Sequence, residues 1–426
     1  MRLFRNDLEG IFLSRPNRFV VEADTPRGIV RAHCPNPGRM QELLLPRTPV
    51  ILEDAAARDS EVRPGERPGT GSRSLRKTRY SLAACRRQDK IISLNSSRAN
   101  LAAEHLVIPR LFPGWREIRR EVKHGASRFD FEVTSDGRRH LVEVKACTLC
   151  EHGVAMFPDA PTVRGTRHVL ELIESTEAGF VPHVILAIFH RDARIFVPNI
   201  HTDPVFALAL REAAEKGAGI HAAVVEAEES GDARLLAAEV PVDLSPAVLA
   251  GENRGVYLLV LEVPGGTLRV GGLGEIHFSP GFYVYVGSAA KNLDQRIARH
   301  GRLRKKLKWH IDYLRAAASS FRAFPIRTRR DLECRLASDI ATGSGVSISG
   351  FGSSDCSCRA HLFYYRENPL ENRGFVDTLS RYRHLEAFGP TFPGGDAPSE
   401  DPGIEDDKED YRREEEESDN GIEERR

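Results

Sequence analysis

From the start of the chain to about residue 83, apolar and polar side chains alternate in short runs set off by turn residues. The segments "GIFLSRPNRFVVEAD", "RGIVRAHCP", "TPVILED" and "RYSLAAC" carry this pattern of half-buried strands. Many short strands in so few residues predict a small β-barrel, and an OB-fold is one candidate. The stretch "ARDSEVRPGERPGTGSRS" interrupts them as a Pro/Gly/Arg-rich loop with no apolar period. From 84 to 243 the period changes. "NLAAEHLVIPRLF", "TRHVLELIES" and "DPVFALALREAAEKG" read as helices, the last closed by Gly217. "SRFDFEVTSDGRRHLVEVKACTL" reads as a hairpin turning at Ser-Asp-Gly, and "HVILAIFH" as a buried strand. This is an α/β pattern. "PVDLSPAVLAGENRG" reads as a linker, after which "GVYLLVLEVPGG" opens a third unit over 251–366. Residues 367–426 read as linker and acidic tail, disordered from about 390.

With 426 residues, 41% hydrophobic and 29% charged, the chain fits a soluble protein of two or three domains. Its charged N-terminus lacks the apolar core of a signal peptide, and its longest apolar runs are too short to span a bilayer. A cytoplasmic protein with no membrane partner is expected. The net charge of zero conceals an asymmetry. Residues 396–426 hold 15 acidic and 5 basic groups, leaving 56 basic and 46 acidic groups in the rest. A basic body of this kind suits an anionic partner, with the tail as a competitor or a solvated appendage.

In the hairpin of the second unit, a loop centred on Asp136-Gly137 sets Asp130 opposite Glu143. Phe129, Phe131 and Val133 would face the core with Val142 and Val144, and Lys145 would share the polar face with the two acids. Opposed carboxylates repel, and a bound cation removes the conflict. Mg²⁺ or Mn²⁺ held by Asp130 and Glu143, with Lys145 orienting water or stabilising phosphorane charge, is the chemistry this trio would support. A second Glu-Val-Lys, Glu121 to Lys123, has no acidic partner and reads as a solvated strand face.

These residues, together with "HCPNPGRM" (33–40), "VEVKACTL" (142–149), "FPDAPTVRGTRH" (157–168) and "LEL" (170–172), resemble the sugar fermentation stimulation protein family over roughly residues 1–230. The resemblance implies an N-terminal OB-fold followed by a PD-(D/E)XK nuclease-like domain, and DNA binding. It places Asp130, Glu143 and Lys145 on the nuclease motif. Pro37 stands where the family usually has Thr, and the loop at 58–74 is longer than typical. Glu104 is either a helical carboxylate of the site or a surface acid. Asp159, Thr162, Arg164 and His168 either line the same site, with Arg164 and His168 gripping nucleic acid, or form a structural loop.

In the third unit, "GVY" (255–257), "YVYVGSA" (283–289), "NLDQRIARH" (292–300) and "KKLKWHIDYL" (305–314) resemble the GIY-YIG nuclease superfamily over about 253–365. Tyr257 and Tyr285 would converge on a phosphate, one of them a general base through water. Gly287 would allow close backbone approach. Asn292 would cap a helix, with Gln295 three residues on, that presents Arg296 and His300 on one face. Glu333 is the metal ligand the resemblance implies. Core packing is the alternative for the tyrosines. Residues 291–315 carry nine basic and two acidic groups with Trp309 and Tyr313 interleaved, so Lys305, Lys306 and Lys308 are candidate backbone contacts.

Seven cysteines are too few and too scattered for a disulfide framework. Cys147 and Cys150 form a lone CxxC. Cys334, Cys356, Cys358 and His361 are a better zinc set, with buried thiols as the alternative. The fold expected is therefore multidomain: an OB-fold barrel (1–83), an α/β PD-(D/E)XK nuclease-like domain (84–243), a C-terminal α/β GIY-YIG domain (251–366) and a disordered acidic tail. The function expected is metal-dependent phosphodiester hydrolysis on DNA, with RNA also open. The alternative is a non-catalytic DNA-binding regulator of sugar-metabolism genes.

Overall fold

The computed structural model describes residues 1–55, 78–344 and 346–389. The loop expected at 58–74 and the tail expected to be disordered lie outside the described residues, apart from Gly389 and its neighbours at the start.

Six strands build the first domain: β1 (Leu8–Asn17), β2 (Val20–Thr25), β3 (Gly28–His33), β4 (Pro49–Asp54), β5 (Tyr80–Arg87) and β6 (Lys90–Ser93). The parallel pairing of β3 with β5 closes them around Phe12, Val21, Leu52 and Leu82, which makes the barrel that the alternation predicts. The second domain comprises β7 (Trp115–His124), β8 (Ser127–Ser135), β9 (Arg138–Cys147), β10 (Leu149–Glu151), β11 (Val154–Phe157), β12 (Phe180–Ile188), β13 (Ile195–Pro198), β14 (Gly219–Ala227) and β15 (Ala233–Ala237). The six barrel strands and β7, β8, β9, β12, β14 and β15 share one 12-stranded sheet, joined where β6 meets β14 at Ile91 and Ala227, while β10, β11 and β13 form a separate three-stranded sheet. One face of the second domain's part carries α1 (Arg98–Ala102), a π-helical turn (Ala103–Val107) and α2 (Ile108–Leu111). The turn widens the helix just before Pro109, whose ring and missing N–H disfavour a regular α-helix. The other face carries α3 (Val163–Glu174) and α4 (Pro204–Glu215).

The β8–β9 hairpin has the expected register from Ser135↔Arg138 to Phe131↔Val142, and the ladder stops there. Asp130 is not paired with Glu143 across the ladder, because its side chain takes the Val144 N–H instead. Phe129 also departs from expectation. It packs with Leu141 and Val169 toward α3, whereas Phe131 and Val133 pack with Val142 toward α1. The alternation slips where the ladder ends.

The third domain is a five-stranded sheet ordered β20 (Ser320–Arg327), β16 (Gly255–Val263), β19 (Gly281–Ala289), β22 (Leu362–Tyr365) and β21 (Val346–Ser347). A small hairpin of β17 (Gly266–Arg269) and β18 (Glu275–Phe278) flanks it. The segment expected as a linker contains α5 (Ala247–Glu252), whose Ala247 and Ala250 pack on Ile200 and Ala207. One sheet face carries α6 (Leu293–Gly301) and α7 (His310–Ala317), and the other α8 (Glu333–Ser344) and α9 (Arg373–Arg381). Residues 367–389 are therefore not a linker. Phe375, Val376, Leu379 and Tyr382 recur at helical spacing and are buried in the third domain's core. No helix among the described residues is long and apolar enough to cross a bilayer.

Candidate active sites

The first candidate site lies where the β8–β9 ladder ends. Asp130 accepts from Asn100 Nδ2 on α1 and from the Val144 backbone N–H, both at 2.7 Å. Burial and then the charge of Glu143 push its pKa up to about 6. Glu143 is 3% exposed. Its Oε1 meets Lys145 Nζ, and His168 Nδ1 at 2.8 Å, while its Oε2 is buried without a hydrogen-bond partner among the described residues. Burial raises the Glu143 pKa, but the bonds from His168 and Lys145 outweigh it and hold the carboxyl below its usual range. The two acids are thus driven apart, one toward the proton and one toward the charge. An unpartnered buried oxygen beside a second carboxylate fits a divalent cation. Arg164 Nε donates to His168 Nε2 at 3.3 Å. Together with the bond to Glu143, this requires the His168 tautomer with its proton on Nδ1.

Some expected members of this site sit elsewhere. His168, expected to grip nucleic acid, is buried on α3 and holds Glu143, whereas Arg164 beside it is exposed. Thr162 caps α3, accepting from Gly165 N at 3.0 Å. Asp159 accepts from Met40 N at 2.5 Å, so the "HCPNPGRM" and "FPDAPTVRGTRH" strings meet at the junction between barrel and second domain. Glu104 pairs with Arg120 of β7, and Asn100, one turn earlier, is the residue that reaches Asp130. Sequence reading passed over Asn100; its one signal is the i, i+4 spacing to Glu104. Glu121 and Lys123 lie on the exposed edge strand β7.

The second candidate site is on the α6–α7 face of the third domain. Tyr257 and Tyr285 have ring centroids 6.4 Å apart. Tyr257 lies opposite Gly287 in the β16–β19 ladder, and its ring crosses the glycine. A Cβ on Gly287 would come within 2.6 Å of the Tyr257 hydroxyl oxygen. That hydroxyl meets His300 Nε2 at 3.0 Å, and His300 Nδ1 stands 3.5 Å from Asp312 Oδ1. Burial lowers the His300 pKa to about 4, against the pull of Asp312, so near neutral pH the imidazole is uncharged and Nε2 can accept the hydrogen bond of the Tyr257 hydroxyl. Burial raises both tyrosine pKa values, so they are neutral phenols. Arg296 donates to Ser288 O at 2.6 Å, and the Ser288 hydroxyl donates to Glu333 Oε2. Ser288 thereby links the two groups of opposite charge expected at this centre. It was missed although it follows Gly287 directly.

Asp312, also missed, is fully buried and gathers Lys305 Nζ (2.9 Å) and Arg299 Nη1 (3.0 Å). An acid inside a strongly basic stretch was its signal. Lys305 is consequently not a surface contact; its amine also donates to His300 O at 2.7 Å. Lys306 and Lys308 are exposed, together with Arg302 and Arg304. Asn292 makes no side-chain cap for α6. Asn253 does so, accepting from Asp294 N at 3.0 Å and donating to Gln295 Oε1 at 2.9 Å. Cys147 is buried, its thiol directed at Met156 O (3.2 Å), and Cys150 lies in the same core.

Fold and sites together define a modular protein: an OB-type barrel continuous with an α/β domain that buries an acid pair beside a lysine, followed by a C-terminal α/β domain with its own sheet. The family models divide the chain the same way. The N-terminal OB domain of SfsA matches residues 13–94, the sugar fermentation stimulation protein RE domain matches 95–231, and a domain of unknown function, DUF123, matches 256–383. A sugar fermentation stimulation protein homolog of Methanothermobacter thermautotrophicus is 39% identical over 221 residues, 51% of this chain and 85% of that protein. One of Desulfitobacterium hafniense is 36% identical over 226 residues, 53% of this chain and 92% of that protein. The chain belongs to the sugar fermentation stimulation protein family. The solved structure of Pyrococcus furiosus SfsA in complex with Ca²⁺ matches with a TM-score of 0.48 and 30% identity, covering 57% of this chain and 99% of that one.

Proposed function

We propose that the chain binds DNA and hydrolyses its phosphodiester bonds at two metal-dependent centres, one PD-(D/E)XK-like and one GIY-YIG-like. The observation that carries the reading is the buried, unpartnered Oε2 of Glu143 in a site shared with Asp130 and Lys145. A protein that only binds has no need of such a pair, which repels unless a cation joins it. Asp130 and Glu143 would hold Mg²⁺ or Mn²⁺ at the first centre and Glu333 at the second, the ion supplying Lewis-acid polarisation of the phosphate. Lys145, bonded to Glu143, would orient water at the first centre, and the exposed Arg164 would grip the adjacent phosphate.

At the second centre the neutral Tyr257, its hydroxyl proton held by His300 Nε2, would turn an oxygen lone pair to the attacking water and align it, the water's proton passing to solvent, while Asp312 beside Nδ1 keeps the His300 ring in that tautomer. Water oxygen bonds to phosphorus, the bond to the leaving sugar oxygen breaks, and the Arg296 charge offsets that of the phosphorane. Polyanion binding is supported by exposed Arg302, Arg304, Lys306 and Lys308. An open cleft of about 740 Å³ between barrel and third domain, lined by Arg18, Arg39 and Arg322, supports it further.

The test is cleavage of single- and double-stranded DNA with Mg²⁺ or Mn²⁺ by wild type, Glu143→Ala, Arg296→Ala and the double variant. Each single variant should retain the cutting of the other centre, and the double variant none. Removing one charged stabiliser should cost its own centre about 10²-fold or more. If wild type binds DNA but cuts with no metal, the enzyme reading falls and a non-catalytic DNA-binding regulator remains. RNA in the same assay decides the polymer.

A further inference from the structure

We propose that Cys334, Cys356, Cys358 and His361 form a structural zinc site whose histidine holds Glu333 in place. The four ligand atoms lie within 4.8 Å of one another, though Cys334 opens α8 and the others come from the segment before β22. In a tetrahedral site with Zn–S of about 2.3 Å and Zn–N of about 2.0 Å, sulfur–sulfur edges are about 3.8 Å and sulfur–nitrogen edges about 3.5 Å. The Cys356 Sγ to His361 Nε2 separation is 3.5 Å. Three thiolates and one imidazole are a zinc donor set.

The surrounding segment points the same way. Residues 352–359, "GSSDCSCR", contain no large apolar side chain, and none of them is buried. The stretch is closed by backbone bonds from Gly350 N to Arg359 O (2.9 Å) and from His361 N to Phe351 O (2.8 Å). A segment that buries so little needs another source of order, and a metal that ties it to α8 supplies one.

The site also reaches the proposed second centre. With Nε2 toward the sulfurs, His361 presents Nδ1 to Glu333 Oε1 at 3.2 Å. Glu333 Oε2 is held from the other side by Ser288. His361 is itself buried, at 1% exposure. A ligand histidine that donates its second N–H to a carboxylate fixes the orientation of both. Glu333 would thus be placed by zinc on one oxygen and by Ser288 on the other. The zinc site stands on its own geometry, whereas its positioning role rests on the proposed function of Glu333.

The full-length chain, purified without added metal, should carry one zinc per chain by plasma mass spectrometry, and Cys358→Ser should lose it. Should that variant fail to fold, wild type still decides. Its three thiols should resist alkylation until a strong chelator is added and then react together. Absence of zinc, or zinc unaffected by Cys358→Ser, overturns the site, as does full thiol reactivity without chelator.

The positioning role is read in a Glu143→Ala background by Mn²⁺ titration followed by electron paramagnetic resonance. His361→Cys keeps a zinc ligand but removes the bond to Glu333, so zinc should stay while Mn²⁺ affinity falls about tenfold. Retained zinc with unchanged Mn²⁺ affinity overturns the positioning role. A Glu143→Ala protein that holds zinc but binds no Mn²⁺ overturns the reading of Glu333 as a metal ligand, and its positioning role with it, while leaving the zinc site standing.

Discussion

Asp130 shows how little of a site's energetics a motif reveals. The hairpin pattern sets this acid opposite Glu143, but the ladder ends at Phe131 and Val142, and its two oxygens accept instead from Asn100 Nδ2 and the Val144 N–H. A folded pKa of about 6 against an ordinary 3.8 means the folded protein keeps a proton that the unfolded chain releases between those values. Stability from this group is therefore full below about pH 4 and lost as pH rises through 6, a cost on the order of 3 kcal/mol at neutral pH without metal. Asp130→Asn removes the titration, and the Asn100 amide can turn its oxygen to the new amide. In metal-free urea unfolding the variant should gain on wild type as pH rises from 4 to 7. Opposing contributions from buried histidines cancel in that difference. Mg²⁺ should stabilise wild type more than it stabilises the variant, which keeps only the proposed Glu333 centre intact. A pH-independent difference between the two would show that Asp130 is not held protonated.

At the scale of the element, α3 delivers Arg164 and His168, and its first turn was already written in "PTVRGTRH". Thr162 caps it, and Asp203, which caps α4 through Phe206 N, also accepts from Thr162 N. Gly165 is the informative residue. Replacing a helical glycine by alanine where there is room for the methyl ordinarily stabilises by about 0.5–1 kcal/mol, but Gly165 is buried. Here an added Cβ would lie 2.7 Å from Thr162 Oγ1, so it would expel the cap. Gly165→Ala should instead destabilise by about 1 kcal/mol, the worth of a lost cap. In a Thr162→Ala background, where the two atoms inside 3 Å are gone and only the Cβ at 3.3 Å remains, the same change should cost clearly less or become neutral. Equal effects in both backgrounds, measured by urea midpoints, would remove the cap from the account of this glycine. Elements with a clear period, such as the barrel strands and β8–β9, were legible in the sequence. The helix at Arg373–Arg381 was not, because its three apolar residues sit in a polar stretch that composition alone assigns to a linker. The cap of α6 was not either, since Asn253 reaches it from 41 residues before Asp294 and no local pattern encodes that contact.

At the scale of the whole molecule, the imidazole of His201 sits at the centre of the contacts that tie the third domain to the family-typical body. His201 Nδ1 accepts from Arg327 N at 2.9 Å, and its Nε2 donates to Arg383 O at 2.8 Å. Arg327 adds a bond from Nε to Ile200 O at 2.8 Å. Leu45 of the barrel side joins the third domain's core, while Leu385 and Phe388 pack back on β11 and β13. None of this was readable beforehand, since each partner lies more than a hundred residues from the other. The two bonds of His201 demand a neutral ring, and burial with the nearby Arg383 charge lowers its pKa well below 6.5. For a histidine whose folded pKa is depressed, stability is full above the unfolded value and is lost as pH falls beneath it, by about 1.4 kcal/mol per unit until the folded value is reached. His201→Phe preserves the stacking on Phe388 but orphans Arg327 N and Arg383 O. At pH 7.5 the variant should be less stable by about 1–3 kcal/mol for each orphaned group. Toward pH 5 the deficit should shrink, because only wild type then suffers the cost of keeping its ring uncharged. Calorimetric unfolding at the two pH values measures this directly, and a deficit that stays constant or widens on acidification would mean the junction does not depend on a neutral His201.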